Sequence, residues 1–136
     1  MASVAAGGVQ AKPAGLITRE ASADLSSYQY HAMNLNTTDG QAELCDTSAA
    51  DSFGGILQNK PDAEGEEAEL ATEGTSLLVT DGTLTIGCYV GSDSSGHGTK
   101  VTADKAIYFG IALEATSSSG DIAEVKLLGG NQFIGA

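Results

Sequence analysis

The chain has 136 residues, 41% of them hydrophobic, but only 5% are aromatic and tryptophan is absent. Six Lys and Arg stand against eighteen Asp and Glu, a formal net charge of −12. That balance argues against duplex binding, which needs cations to neutralise phosphates, and disfavours an anionic membrane surface. No run of about 18 apolar residues is present to span a bilayer. The length predicts one domain, or two very small ones sharing a core of Leu, Ile, Val and Ala.

Residues 1–15, MASVAAGGVQAKPAG, are small, Gly/Ala-rich and without hydrophobic period. They lack a basic segment followed by a long apolar one, so no secretory signal is expected. Such a stretch cannot bury enough to fold alone, and it reads as a flexible N-terminal arm ahead of a β-domain at 16–136. In that domain YQYHAMNL (28–35) reads as a strand, NTTDG as a turn and QAELC (41–45) as the returning strand. FGGIL (53–57) follows a link, then the turn NKPDAEGE, then the strand EAELAT (67–72). Asp81-Gly82 lies between β-prone runs and predicts a type I′ hairpin turn, in which both central residues have positive φ. The second half reads LTIGCYV (84–90), the turn GSDSSGHG, the short return TKV, IYFGIAL (107–113), the turn EATSSSGD and IAEVKLL (122–128).

The two halves resemble each other at an offset of 55. Gly55 falls on Gly110, Ile56 on Ile111, Gly65 on Gly120, and Ala68-Glu69 on Ala123-Glu124. This predicts one supersecondary unit used twice. Ala123, Val125 and Leu127 alternate with Glu124 and Lys126, as Ala68 and Leu70 do with Glu67 and Glu69. Period two with one apolar face predicts half-buried antiparallel strands. Gly55 and Gly110 inside strand runs predict a bulge or a close backbone approach. The expected fold is all-β, a small antiparallel β-barrel or sandwich from two diverged units of about 55 residues, with the extended arm in front.

Little here points to chemistry. His31 and His97 lack a Cys or second His at zinc-ligand spacing, and GxSxG is absent. Asp62, Glu64, Glu66, Glu67 and Glu69 do not follow a calcium-loop pattern and read as a solvated turn and strand edge. GSDSSGHG has no Lys and no following helix, so it is no phosphate cradle. Cys45 and Cys88 lack CxxC spacing and read as buried free thiols. The NTT sequon at Asn36 is read as chance. No enzyme, metal or cofactor is expected.

FGGILQNKPDAEGEEAEL, TDGTLTIGCYVGSDSSGHGTKV and YFGIALEATSSSGDIAEVKLLGG, in that order, resemble the small head-decoration, or capsid cement, proteins of tailed bacteriophages. The matching residues are Gly55, Ile56, Leu57, Asn59 and Pro61, then Gly110 to Glu114, then Val125 and Leu127 to Gly129. The resemblance covers residues 15–130 and leaves the arm unmatched. It implies a protein made in the host cytoplasm that adds to the outside of an expanded icosahedral head. It further implies a homotrimer that bridges major capsid protein subunits. On that reading the arm supplies capsid-binding residues Val4, Val9, Lys12 and Pro13, lying in a groove or adding a strand to a neighbour's sheet edge. The competing readings are a noncatalytic β-sandwich binding module for sugars or a host surface, with Tyr28, Tyr30, Tyr89 and Tyr108 as a stacking platform, and a phage tail or baseplate domain.

Overall fold

The structure is a computed structural model that describes residues 11–46, 53–102 and 107–133. Among these residues nine strands follow one another: β1 (Pro13–Glu20), β2 (Ala32–Leu35), β3 (Ala42–Leu44), β4 (Phe53–Leu57), β5 (Glu67–Val79), β6 (Tyr89–Ser92), β7 (Gly98–Lys100), β8 (Ile107–Ala112) and β9 (Ile122–Phe133). All the strand pairings are antiparallel, and the described residues contain no helix. The expected all-β class holds. The strands form one curled sheet in the order β3-β2-β4-β5-β9-β8-β6-β7, with β1 added beside β5.

That order reads the same from either end once β2, β3, β4 and β5 are matched to β6, β7, β8 and β9. The sequence repeat is therefore a structural one. Strand β5 serves both units. Its first half pairs with β1, from Glu20↔Glu67 to Pro13↔Gly74. Its second half pairs with β9, from Val79↔Ile122 to Glu73↔Leu128. The first unit thus spans residues 13–73 and the second 73–129. Gly74 marks the handover at φ +82°, and Gly129, 55 residues on, has the same φ. A Cβ on Gly74 would lie 2.6 Å from the Lys12 carbonyl oxygen, so only glycine lets β1 close on β5 there. Gly55 and Gly110 also match. A Cβ would lie 2.7 Å from the Ala71 carbonyl oxygen at one and 2.9 Å from that of Lys126 at the other. The close approach expected at both is observed.

Each unit packs its own small side chains. Ile17, Leu25, Met33, Leu57, Ala68 and Leu70 gather in the first. Leu84, Val90, Ala112, Ala123 and Val125 gather in the second, in a cluster that also holds Ala32, Ile56 and Ala71 of the first. The two units are therefore joined by burial as well as by the shared strand. Phe53 and Phe109 stack across this junction, centroids 4.2 Å apart and planes 4° apart.

Three expectations need correction. The arm does not extend to residue 15: β1 begins at Pro13, and Lys12 already exchanges hydrogen bonds with Thr75. Proline is tolerated there because it opens an edge strand. Asp81-Gly82 is not a type I′ hairpin, since neither residue has positive φ. The chain leaves the sheet after Val79 and is captured elsewhere. Asp81 N–H donates to the Gly98 carbonyl (3.0 Å), and the Thr116 hydroxyl donates to the Gly82 carbonyl (2.6 Å). These tertiary bonds outweigh the local turn preference. Finally, Glu124 does not face solvent with Lys126; it is buried, its backbone N–H bonded to Glu114 Oε1 (2.8 Å).

Candidate interaction surfaces

Of the residues expected to bind a capsid, Val4 and Val9 lie outside the described residues. Lys12 and Pro13 are exposed at the start of β1. The Lys12 backbone is committed to Thr75: its N–H donates to Thr75 Oγ1 (2.7 Å) and its carbonyl accepts from Thr75 N–H (3.2 Å). Among the described strands β1 pairs with β5 alone, so its other edge is open. Leu16 projects from it at 56% exposure, an apolar group on an unpaired edge. At the far end of β1 a groove of about 470 Å³ is lined by Arg19, Glu20, Asp39 and Glu67. An open edge of this kind can accept a further strand.

The second surface is on the second unit; of its residues the sequence had offered Tyr89 and Tyr108, as half of a tyrosine platform. Tyr89, Ile111 and Lys126 form one row across β6, β8 and β9. Tyr108 stacks on Tyr89 with centroids 4.2 Å apart. Tyr89 is 41% exposed, Lys126 is exposed and Ile111 is half-buried. Cys88, Lys100 and Val101 border a hollow of about 410 Å³ next to Tyr89. Nearby in sequence, Ile86 and Leu113 are 73% and 39% exposed. Their counterparts in the first unit are polar: Gln29 Nε2 donates to the Gln58 carbonyl (2.8 Å). A fold repeated twice explains shared positions; apolar exposure in one unit alone sets this surface apart from its counterpart.

The remaining candidates are occupied by structural roles. Asn36 Oδ1 accepts from Thr38 N–H (2.8 Å) and its Nδ2 donates to Glu43 (3.0 Å), which fixes the β2–β3 turn. Asn59 and Glu66 tie down the acidic turn, Asn59 through Glu67 and Glu69 and Glu66 through Asp62 N–H. Cys45 is buried, and burial pushes its thiol up to about 12, so it is inert. Cys88 is half-buried and, like Cys45, a free thiol. His31 and His97 meet at the junction of the units, ring centroids 5.0 Å apart. No group of three or more metal-ligating side chains occurs among the described residues. These surfaces can bind; they present no reacting constellation.

No curated protein matches the chain. Among solved structures it is similar to the crystal structure of the N base of head fiber gp8.5 in bacteriophage phi29. That likeness has a TM-score of 0.61 at 11% identity and covers 87% of this chain and 97% of that one, which establishes a shared fold. The sequence profile of a family described as phage cement protein matches residues 9–127. The match takes in every strand but the end of β9, both units and the shared strand, and the chain therefore belongs to the phage cement proteins, a family of capsid-associated structural proteins.

Proposed function

We propose that the protein binds the outer surface of the expanded icosahedral head, as a homotrimer, and stabilises the shell by bridging major capsid protein subunits. The observation that carries this, beyond family membership, is the open edge of β1 with Leu16 exposed on it. Lys12 and Pro13 stand at the start of that edge, and on this reading Val4 and Val9 of the arm take part in the same contact. A shell subunit's strand or groove would supply the missing backbone partners. No reaction is involved. The work is binding energy spread over symmetric copies, which opposes separation of neighbouring subunits, and multivalency offsets the ordering cost of each arm. The net charge of −12 suits an exterior site, away from packaged DNA.

The test is a titration of expanded and unexpanded heads with the full chain and with a chain lacking residues 2–10. The full chain is expected to load onto expanded heads, and the deletion to weaken loading more than tenfold, about 1.4 kcal/mol. No loading onto expanded heads overturns the proposal. Equal occupancy by both chains removes the arm from it.

A further inference from the structure

The junction between the two units shows what covers one face of a unit, and the same face of the second unit stays partly exposed, Tyr89 at 41%. In the first unit the row Ala32, Ile56 and Ala71 runs across β2, β4 and β5, and all three are fully buried. Tyr89, Ile111 and Lys126 occupy the same places in the second. The backbone confirms the match. Cys45 N–H donates to the Ala32 carbonyl (3.1 Å) as Val101 N–H does to that of Tyr89 (3.0 Å). Leu57 N–H donates to His31 as Ala112 N–H does to Cys88, both at 3.0 Å.

The Ala32 end of the first row is covered by the β6–β7 turn of the second unit, and Ile56 and Ala71 are buried in the core cluster shared with that unit. Ala32 N–H donates to the Gly96 carbonyl (2.8 Å), and Gly96 packs against His31 and Leu44. The chain holds a second turn of this kind, between β2 and β3, at Asn36–Gln41. Gly40 and Gly96 have φ +75° and +76°. Asn36 and Asp93 each cap their turn by accepting a backbone N–H two residues on, both at 2.8 Å. The two turns differ in surroundings. A Cβ on Gly96 would be crowded by its neighbours, whereas a Cβ on Gly40 would meet nothing within 4 Å.

We propose that the partly exposed face of one copy receives the β2–β3 turn of a second copy, repeating between chains the contact that joins the two units within one. Cys88 and Lys100 stand where His31 and Leu44 stand, so the contact carried over between copies brings Gly40, in a turn one residue longer, against them. Asp39, exposed beside Gly40, then meets Lys100, and a carboxylate replaces apolar packing where a lysine replaces leucine. Over Gly54, where the second unit has Phe109, the first presents Leu35, an apolar group for Tyr108 to pack on. The contact is heterologous, head to tail, so its repetition builds a ring of copies where the rotation closes and a filament where it does not. It rests on the homotrimer of the proposed function and is tested apart from head binding.

Cross-linking tests it without relying on affinity. A Cβ on Gly96 lies 3.4 Å from His31 Cβ, so a cysteine at residue 40 falls within disulfide reach of Cys88 of the next copy. Gly40→Cys, and Asp39→Cys as a variant free of the positive φ, are expected to form a disulfide-linked oligomer under mild oxidation. Cys88→Ser in either background should abolish it, and buried Cys45 does not compete. Sedimentation of the untreated protein should show self-association that Tyr89→Arg weakens at least tenfold. A monomer at every concentration, no bridge to Cys88 from either position, or association unaffected by Tyr89→Arg overturns the proposal, whether or not the protein loads onto heads.

Discussion

Tyr30 and Gly87 hold the same place in the two units. Tyr30 N–H donates to the Leu57 carbonyl (2.7 Å) and Gly87 N–H to the Ala112 carbonyl (2.8 Å). Both have left-handed backbone, at φ 65° and 87°. Among the described residues Tyr30 alone takes that conformation without being glycine, and glycine is the ordinary solution. The repeat therefore conserves backbone shape where it no longer conserves residue type. The demand for shape predicts which glycines matter.

Gly87→Ala should cost about 1–2 kcal/mol, the ordinary penalty for a side chain in left-handed backbone, because a Cβ there meets nothing within 4 Å. Gly74→Ala should cost more, because the same penalty is joined by a clash with the Lys12 carbonyl oxygen. Thermal melts would separate them, at roughly 3–5 °C per kcal/mol for a chain of this size. Equal losses would mean that β1 moves aside freely.

Gly82→Val should change stability by less than about 1 kcal/mol, as at surface sites generally. Gly82 lacks positive φ, and a Cβ would meet nothing within 4 Å. What holds this bend is Thr116, buried, with its hydroxyl bonded to the Gly82 carbonyl. Thr116→Val should therefore be the costlier change, by about 1–3 kcal/mol for the carbonyl left without its donor. Urea midpoints of the two variants decide this, and the reverse order would restore the turn as the controlling element.

Much of this was legible in residues. The alternation of Ala68 and Leu70, and of Ala123, Val125 and Leu127, fixed both closing strands, and all five are buried. The offset of 55 exposed the duplication because glycines at bends and close approaches resist substitution. Strand β1 was not legible. Of its residues only Gly15 and Ile17 are even half-buried, so no apolar period marks it; its strand form is imposed by the bonding groups of β5. The partly exposed face of the second unit was hidden for a related reason. Tyr89 and Tyr108 stood out as tyrosines, but their exposure depends on which unit covers which, a tertiary fact without local pattern.

Ile56 and Ile111 make that difference measurable. They are the same position of the repeat, fully buried in one unit and half-buried in the other. Ile56→Ala should lower the stability of the dilute protein by about 2–5 kcal/mol, as cavity-forming core truncations do. Ile111→Ala should cost the dilute protein clearly less, and should weaken self-association at higher concentration. Chemical denaturation and sedimentation on the same preparations check both halves, and similar unfolding losses would show that the second face is already covered within one chain.

The last prediction concerns acid. Burial holds the His31 imidazole below its ordinary value of 6.5, with the charge of His97 acting the same way; hydrogen bonding to the Gln29 and Tyr28 backbone and the charge of Asp93 oppose it. Nδ1 lies 3.2 Å from the Gln29 carbonyl, and the rings of Tyr28 and His97 pack 5.4 and 5.0 Å away. The folded pKa is lower than the unfolded one, so the unfolded chain binds the proton first. The stability from a neutral His31 is complete above pH 6.5 and is lost as pH falls through the folded value. Asp24 and Asp121 are held below 3.8, Asp24 by the Ser26 hydroxyl and N–H, and Asp121 by the N–H groups of Ser117 and Ser118. Their loss comes in a separate, more acidic step. Urea midpoints measured from pH 8 to 5 should therefore fall for the native chain and stay flatter for His31→Gln. Because His31 lies at the junction, amide exchange at Ala32, bonded to Gly96 of the other unit, should quicken in the same range. A native profile that is flat from pH 8 to 5, or one that His31→Gln leaves unchanged, would show that the junction does not depend on a neutral histidine.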